Sequence, residues 1–440
     1  MQMPKTVYLV SLGCSKNRVD SEVLLGILNA NGIRPVTSPV KAELICVNTC
    51  GFIGPAKEES IDTIFEMARF KQTGKCRLLM VTGCLSQRYG KEMRDEMPEV
   101  DVFLGTFEYP RVMEAIRGAL GGARPLWTEE YARFFEAPRL LTGGGFSAYV
   151  KISDGCSNRC AFCAIPLIRG SYHSRSREDV LKECRDLMGR GVSEITLIAQ
   201  DTSRYGNDLG GGKLLLAELL HDISALDGLH WLRVLYCYPD TVNEPLLDAI
   251  AGLPKVAPYL DLPLQHIDGG ILRAMRRRGT PDEIRALMRA CRERNILVRT
   301  TMIVGFPGET EEQFGELLDF VREARFGRLG AFTYSPEEGT AAAEMPDQIP
   351  EEIKEERLDR LMMLQQGISL EENEKRVGST CEVLAEGMKD GMCIGRSLLE
   401  APEVDGTVSF RADRPPKPGQ YVNVRLTGAD AYDLSGEMIE

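Results

Sequence analysis

The chain has little histidine, little tryptophan and no long apolar run. Its 440 residues include four histidines and two tryptophans, so we do not expect a metal site built on histidine. No apolar stretch reaches the roughly 20 residues that a membrane-spanning helix needs. The first residues, Met1–Lys5, lack the charged and apolar regions of a secretory signal, and we therefore expect a cytoplasmic protein. Acidic residues outnumber basic ones, and the resulting formal charge of −12 disfavours a surface built to bind the phosphate backbone of a nucleic acid.

Cysteine, in contrast, is plentiful: the chain has thirteen, which without a secretory signal are expected to stay reduced and bind metal. Cys156, Cys160 and Cys163 lie on one loop with the spacing Cys-x3-Cys-x2-Cys. Such a set can hold three irons of a [4Fe–4S] cube and leave the fourth iron open, whereas electron-transfer clusters normally have four cysteine ligands. An open metal position is typical of a chemical site. The alternative is a zinc loop, but no histidine or fourth cysteine follows at zinc-finger spacing.

A second set of three cysteines is spread over the first quarter of the chain. Cys14, Cys50 and Cys84 each follow a predicted strand. Because the carboxyl ends of parallel strands meet at one edge of a sheet, these cysteines can converge on one cofactor. The alternative is that they are ordinary small apolar residues at strand ends, which is the interpretation that we give to the remaining cysteines.

The apolar pattern predicts an α/β chain with three domains. Residues 1–125 alternate strands and helices, which indicates a parallel sheet with helices on its faces. A glycine-rich linker is predicted over residues 126–146. Residues 147–345 repeat the alternation six times, which favours an incomplete (β/α)6 barrel. A charged connecting helix is predicted over 346–374, and a small antiparallel β-barrel over 375–440.

The ends of the predicted barrel strands are polar, and in β/α barrels the chemistry lies at those ends. The candidates for cofactor contacts there include Gln200, Gln265 and Gly305. Phe162, between two cysteines of the loop, either shields the cluster or is an ordinary core aromatic. The run Arg276–Arg278 is interpreted as a solvated helix end rather than as an anion site.

Several motifs together resemble the methylthiotransferases of the radical S-adenosylmethionine (radical SAM) superfamily. The N-terminal part matches in Ser11–Asn17, Val47–Phe52 and Val81–Cys84, and the central part matches in the three-cysteine loop, in Thr301–Glu309 and in Tyr334–Thr340. The C-terminal barrel resembles the family's TRAM module. Gly13–Asn17 reads Gly-Cys-Ser-Lys-Asn, as in the branch that modifies a ribosomal protein, whereas the tRNA-modifying branch usually reads Gly-Cys-Gln-Met-Asn.

The resemblance implies an enzyme with two [4Fe–4S] clusters and S-adenosylmethionine. One cluster would be held by Cys156, Cys160 and Cys163 and would reduce S-adenosylmethionine to form a radical. The other, on Cys14, Cys50 and Cys84, would hold or supply sulfur. Phe162, Gln200, Gln265 and Gly305 would lie near S-adenosylmethionine.

The implied reaction inserts a methylthio group at the β-carbon of an aspartate in the decoding-centre protein of the small ribosomal subunit. Its implied partners are that basic protein, an external electron donor such as flavodoxin and a sulfur source. The alternatives are a tRNA-adenosine methylthiotransferase and a non-enzymatic iron–sulfur sensor. Over residues 375–440, eight Lys and Arg face eleven Asp and Glu, and this net charge of −3 disfavours tRNA and suits a basic protein.

Overall fold

The N-terminal domain is a six-stranded parallel sheet with helices on both faces. The computed structural model describes residues 2–439, so Met1 and Glu440, which end the two outer predicted domains, lie outside the described residues. The strands run in the order β2-β1-β3-β4-β5-β6 and all pair in parallel. They are β1 (Thr6–Ser11), β2 (Arg34–Pro35), β3 (Leu44–Thr49), β4 (Leu78–Gly83), β5 (Val102–Leu104) and β6 (Leu126–Trp127), and the helices are α1 (Ser15–Ala30), α2 (Gly54–Ala68), α3 (Phe70–Thr73), α4 (Cys84–Glu96) and α5 (Val112–Leu120).

The predicted parallel sheet is confirmed, and two short edge strands are added to it. The central strands β3 and β4 are buried at every position, as expected for a sheet covered on both faces. The edge strands β2 and β6 have two residues each and carry no apolar run that would reveal them. Because β6 pairs with β5, the sheet extends into the segment predicted as a linker.

The central domain contains six parallel strands in two runs of three, ordered β7-β10-β11 and β12-β13-β14. A single bridge from Leu232 to Val256 and a hydrogen bond from Cys237 N to Asp261 O (2.8 Å) connect the two runs. Within residues 2–439 no ladder joins β14 back to β7, so the predicted barrel is present and open on one side. The strands are β7 (Ser147–Lys151), β10 (Glu194–Ile198), β11 (Trp231–Val234), β12 (Tyr259–Gln265), β13 (Leu297–Val304) and β14 (Arg328–Thr333), and a small hairpin is formed by β8 (Ser153–Asp154) and β9 (His173–Ser174).

Helices pack on the outside of this barrel, where apolar residues from alternate strand positions meet them in one core. Two of the helices begin with capping boxes, in which Thr280 and Thr310 accept a hydrogen bond from the backbone N–H three residues later. The predicted connecting helix is α13 in the structure. The helices are α6 (Ile165–Arg169), α7 (Arg177–Gly189), α8 (Leu216–Ser224), α9 (Glu244–Gly252), α10 (Gly269–Ala274), α11 (Pro281–Glu293), α12 (Glu311–Ala324) and α13 (Glu351–Glu374). Among residues 2–439, none of the helices combines the length and the apolar character that a bilayer crossing needs.

The C-terminal domain is a closed barrel of five strands in the order β15-β16-β17-β19-β18. Four of its pairings are antiparallel, as predicted, whereas β17 and β19 run parallel. An odd number of strands cannot alternate in direction around a closed ring, so one parallel pair is required. The strands are β15 (Thr380–Lys389), β16 (Met392–Ser397), β17 (Val408–Arg411), β18 (Tyr421–Ala429) and β19 (Leu434–Ile439).

The loop from β16 to β17 closes the amino end of the central barrel. Arg396 donates to both carboxylate oxygens of Glu194, the first residue of β10, at 3.1 and 2.7 Å. Tyr259, the first residue of β12, donates its hydroxyl to Asp405 at 2.7 Å. Ala401 is fully buried against the side chains of Tyr149 and Tyr259 at this end of the barrel. We call residues 396–405 the floor loop.

Candidate functional site

The three N-terminal cysteines lie at one edge of the sheet, as predicted. Cys14 caps α1, Cys50 follows β3, and Cys84 opens α4. The order in which the strands are added to the sheet reverses between β1 and β3, and ligands of open α/β sheets bind at such a point. We call these three residues the sheet triplet.

Glycines allow the three segments of the sheet triplet to approach each other closely. Gly13 has a φ of +84°, and a Cβ there would lie 3.0 Å from the Cβ of Cys50. A Cβ on Gly51 would lie 2.8 Å from the backbone nitrogen of Leu85, which follows Cys84. Larger residues at either position would separate the cysteines.

Cys156, Cys160 and Cys163 lie together on the loop between β8 and α6, and we call them the loop triplet. The backbone N–H of Cys156 donates to Gly170 O at 3.1 Å, and that of Cys163 donates to Cys160 O at 3.1 Å. The Asn158 amide donates to the buried carboxylate of Asp201, at the end of β10, at 2.8 Å. The loop is thereby fixed to the carboxyl end of the barrel.

Two side chains from other barrel loops hold Cys160. The Tyr238 hydroxyl lies 3.6 Å from its Sγ, and the Arg277 guanidinium donates to it at 3.8 Å. The guanidinium also stacks on the Tyr238 ring, 3.8 Å from its centroid. Within the run Arg276–Arg278, interpreted from sequence as a solvated helix end, the outer two residues are exposed but Arg277 is buried. That interpretation was therefore wrong for Arg277, because the side chain's destination depends on tertiary packing.

The two triplets meet through the helix that follows the loop triplet. Cys84 packs against Ala164 and Ile168 in an apolar cluster of its own. Arg169, the last residue of α6, donates to the Cys84 Sγ at 3.7 Å. Only five residues separate Cys163 from this arginine in the sequence. One short stretch of chain therefore contacts the sheet triplet and carries part of the loop triplet.

Arg169 belongs to a buried ionic cage that ties the two domains together. Its guanidinium donates to Asp20 Oδ2 at 2.8 Å and to Asp154 Oδ2 at 3.0 Å, and Lys151 donates to the same two carboxylates at 2.7 Å each. Burial alone would raise the pKa of Asp154, but Lys151 and Arg169 hold it below its ordinary value. Asn17 completes the cage by accepting from Arg169 at 2.8 Å. None of the four charged residues was singled out from the sequence as a site residue, since no local pattern brings them together.

Burial disfavours the bare thiolate at cysteines of both triplets. Burial, reinforced by the neighbouring cysteines, raises the pKa of Cys50 to about 12, and burial raises that of Cys156 to about 11. These thiols stay protonated at neutral pH unless a cation offsets the charge, and coordination to a metal does so. Among residues 2–439, no three His, Cys, Asp or Glu side chains are arranged to hold a metal ion. The donor chemistry of each triplet fits an iron–sulfur cluster, which thiolates hold.

The predicted cofactor-contacting residues lie around the carboxyl end of the barrel. The side-chain oxygens of Gln200 and Gln265 are buried and accept no hydrogen bond from residues 2–439. Gln265 also has a φ of +76°, a strained conformation for a residue with a side chain. Such acceptors are suited to a ligand that brings N–H or O–H donors.

Phe162 and Gly305 lie in different surroundings. Phe162 is half-buried and packs against the apolar cluster that contains Met275 and Phe306. Gly305 has a φ of +71°, and a Cβ there would lie 3.1 Å from the Cβ of Lys354 on α13. The close approach that this glycine permits is therefore to helix α13.

Three family models match successive parts of the chain. The uncharacterized protein family UPF0004 matches residues 6–105, the radical SAM superfamily matches 150–321, and the TRAM domain matches 377–439. Solved structures show the same fold. The radical S-adenosylmethionine methyltransferase TsrM from Kitasatospora setae, solved with cobalamin and a [4Fe–4S] cluster, has a TM-score of 0.56 at 17% identity, covering 94% of this chain and 83% of its own. The cobalamin-dependent radical enzyme OxsB has a TM-score of 0.51 at 14% identity, covering 83% and 56%.

Curated relatives match along almost the whole length. The ribosomal protein uS12 methylthiotransferase RimO of Desulforamulus reducens is 49% identical, covering 99% of this chain and all of its own. The proteins of the same name from Heliobacterium modesticaldum and Pelotomaculum thermopropionicum are 49% and 48% identical, covering 99% and 98% of this chain and 95% and 98% of their own. The chain therefore belongs to the RimO family of methylthiotransferases, within the radical SAM superfamily.

Proposed function

We propose that this protein is a radical SAM methylthiotransferase that attaches a methylthio group to the β-carbon of an aspartate in ribosomal protein uS12. The observation that carries the proposal is that the segment directly after Cys163, from Ala164 to Arg169, contacts Cys84 of the sheet triplet. A reaction that joins radical formation to sulfur transfer needs two such centres close together. The sequence identity to enzymes with this printed activity supports the same conclusion.

Each triplet would hold a [4Fe–4S] cluster with one iron left open. The loop triplet would bind the cluster that takes S-adenosylmethionine, and the sheet triplet would bind the cluster that handles sulfur. The cofactors supply the radical chemistry that an unactivated C–H bond requires, while the protein supplies position and electrostatics.

The chain's own residues have identifiable tasks in this scheme. Arg277 and Tyr238 orient Cys160, and Arg169 orients Cys84. Gln200 and Gln265 offer buried acceptors to S-adenosylmethionine, and Phe162 and Gly305 border the same end of the barrel.

Partners follow from the same chemistry. The reaction needs an external electron donor such as flavodoxin, a sulfur source and access to the ribosomal protein in the cytoplasm. The net charge of −3 over residues 375–440 favours a basic protein over tRNA.

Mass spectrometry of a strain that lacks the gene tests the substrate. We expect uS12 to lose the mass of one methylthio group, and to regain it when the gene is returned, while the tRNA nucleosides stay unchanged. The proposal is wrong if uS12 stays modified and a tRNA loses a methylthio group. A protein that forms no 5′-deoxyadenosine, after anaerobic reconstitution and addition of dithionite, would instead be a sensor.

A further inference from the structure

Lys16 is a buried cation at the junction between the two domains. It lies in the first turn of α1, two residues after Cys14, and is 5% exposed. Its ammonium sits over the ring of Tyr236, 2.8 Å from the centroid, and Tyr236 follows strand β11 of the barrel. The contact therefore spans the carboxyl edge of the sheet and the carboxyl end of the barrel.

The ammonium of Lys16 has no carboxylate of its own in the described part of the chain. The acidic groups whose charge acts on it most are the Cys14 thiol, which belongs to the sheet triplet, and the carboxylates of Asp261 and Asp154, which have other partners. Asp20 and Asp154 are matched by Lys151 and Arg169 in the ionic cage.

Asp261, at the barrel side of the junction, already accepts hydrogen bonds from other groups at both carboxylate oxygens. One of its oxygens accepts from Arg299 at 3.0 Å, and the other accepts from the backbone N–H of Tyr236 at 3.0 Å. The Tyr236 ring offsets only part of the cost of burying this cation, so an anion from outside the chain is the expected counter-charge for Lys16.

We propose that Lys16 binds the carboxylate of the target aspartate, an inference that rests on the function proposed above. The carboxylate is bonded directly to the β-carbon, so an ion pair to it fixes the reacting carbon to within one bond. Lys16 lies beside Cys14 of the sheet triplet and faces the barrel, which is where a carbon that receives sulfur must be held. Lys16 is thus a specificity-determining residue that selects an acidic side chain.

Binding measurements with the reconstituted holoenzyme test this assignment. The ligands are purified uS12 and its variant with the target aspartate replaced by asparagine, which keeps the shape and removes the charge. We expect the wild-type enzyme to bind the aspartate form roughly ten- to a hundredfold more tightly, as for a hydrogen bond to a charged group. Lys16→Met should lose this preference, and Lys16→Arg should retain part of it.

Lys41→Met is the matched control, because Lys41 is exposed and lies near the amino end of β3, at the opposite edge of the sheet. It should keep the full preference. Iron content, measured on every variant, should equal that of the wild type.

Three results would overturn the proposal. In the first, Lys16→Met keeps the wild-type preference. In the second, it loses iron while the preference survives, which would make Lys16 a counter-charge for the sheet triplet only. In the third, the wild-type enzyme binds both forms of uS12 equally, a result that does not depend on whether a variant folds. A wild-type enzyme that modifies no aspartate of uS12 removes the proposed function, and this inference with it.

Discussion

The two cysteine triplets are held in opposite ways. The loop triplet lies within eight consecutive residues, fixed by backbone hydrogen bonds and by a few side chains of the barrel. The sheet triplet comes from three strand ends separated by 36 and 34 residues, and it forms only when the whole N-terminal sheet has folded. The first can be recognised in a short stretch of sequence. The second depends on long-range order and on a contact from the other domain.

The same difference extends to the arginine beside each triplet. Arg277 reaches Cys160 from within the barrel, whereas Arg169 reaches Cys84 across the domain boundary. The sheet triplet is therefore coupled to the position of the barrel, and the loop triplet does not depend on the sheet to the same degree.

The largest expected effect comes from removing one cysteine of each set. Cys160→Ala should abolish both cleavage of S-adenosylmethionine and product formation. Cys84→Ala should abolish the product but retain cleavage, and each variant should lose about half of the bound iron if each triplet holds one cluster. Iron analysis measures the cluster content, and chromatography of the cleavage product measures the cleavage of S-adenosylmethionine. Cys381→Ala, which alters a cysteine of the C-terminal barrel, should change neither, and equal loss of cleavage in the two variants would show that the triplets are not separable.

Next in size is the effect of breaking the ionic cage. Arg169→Met leaves Asp20 and Asp154 with Lys151 alone, and removing one partner of a buried ion pair costs about 3–5 kcal/mol. Urea unfolding measures the loss. Arg322→Met, in an exposed pair with Asp319, should cost less than about 1 kcal/mol. Similar costs for the two variants would contradict the coupling between the domains.

The effect of histidine protonation should be confined to the barrel side, since the N-terminal domain contains no histidine. Burial lowers the pKa of His266 to about 4, so the unfolded state binds the proton first. Stability is then lost as the pH falls from about 6.5 to about 4, by up to roughly 3 kcal/mol.

His266→Asn should flatten this decline, which unfolding measurements across that pH range would detect. Glu309 Oε2 lies 3.8 Å from His266 Nε2, and burial raises the pKa of Glu309 to about 7. This shift has the opposite effect, because it reduces stability as the pH rises from about 4.5 to 7. Both proteins contain Glu309, so subtracting the stability of the variant from that of the wild type at each pH removes much of the Glu309 contribution. An equally steep decline in the variant would exclude His266 as the cause.

The smallest effect is expected on a reduction potential. Arg277→Met removes a cationic donor from Cys160, so the reduced state of a cluster there should be less stable, and its potential should fall by on the order of tens of millivolts. Arg277→Lys, which keeps the charge, should restore part of the difference. A redox titration followed by electron paramagnetic resonance provides the measurement, and an unchanged potential would limit Arg277 to a structural role.

The sequence predicted the parts of the molecule that repeat a local pattern. The central strands β3 and β4 of the sheet are apolar runs in the sequence, because burial on both faces leaves a continuous hydrophobic signature. The placement of Cys14, Cys50 and Cys84 at one edge of the sheet was predicted from their equivalent places after strands.

Other features depend on contacts between distant segments and left no local signal. The strands β2 and β6 are two residues long. The cage around Arg169 joins residues that are more than 130 positions apart, and Arg277 is distinguished from its two arginine neighbours only by the direction of its side chain. Long-range side-chain geometry of this kind can be read only from the folded chain.

The floor loop has a consequence for the order in which the protein is made. Its residues lie more than 60 positions after the last strand of the barrel, yet they supply partners for Glu194 and Tyr259. Domains generally fold from the N-terminus as the chain emerges from the ribosome. Here Glu194 has Arg233 nearby within the barrel, at 3.8 Å, and it gains its two hydrogen bonds from Arg396 once β16 has emerged. The amino end of the barrel is therefore completed only after the C-terminal domain has been synthesised.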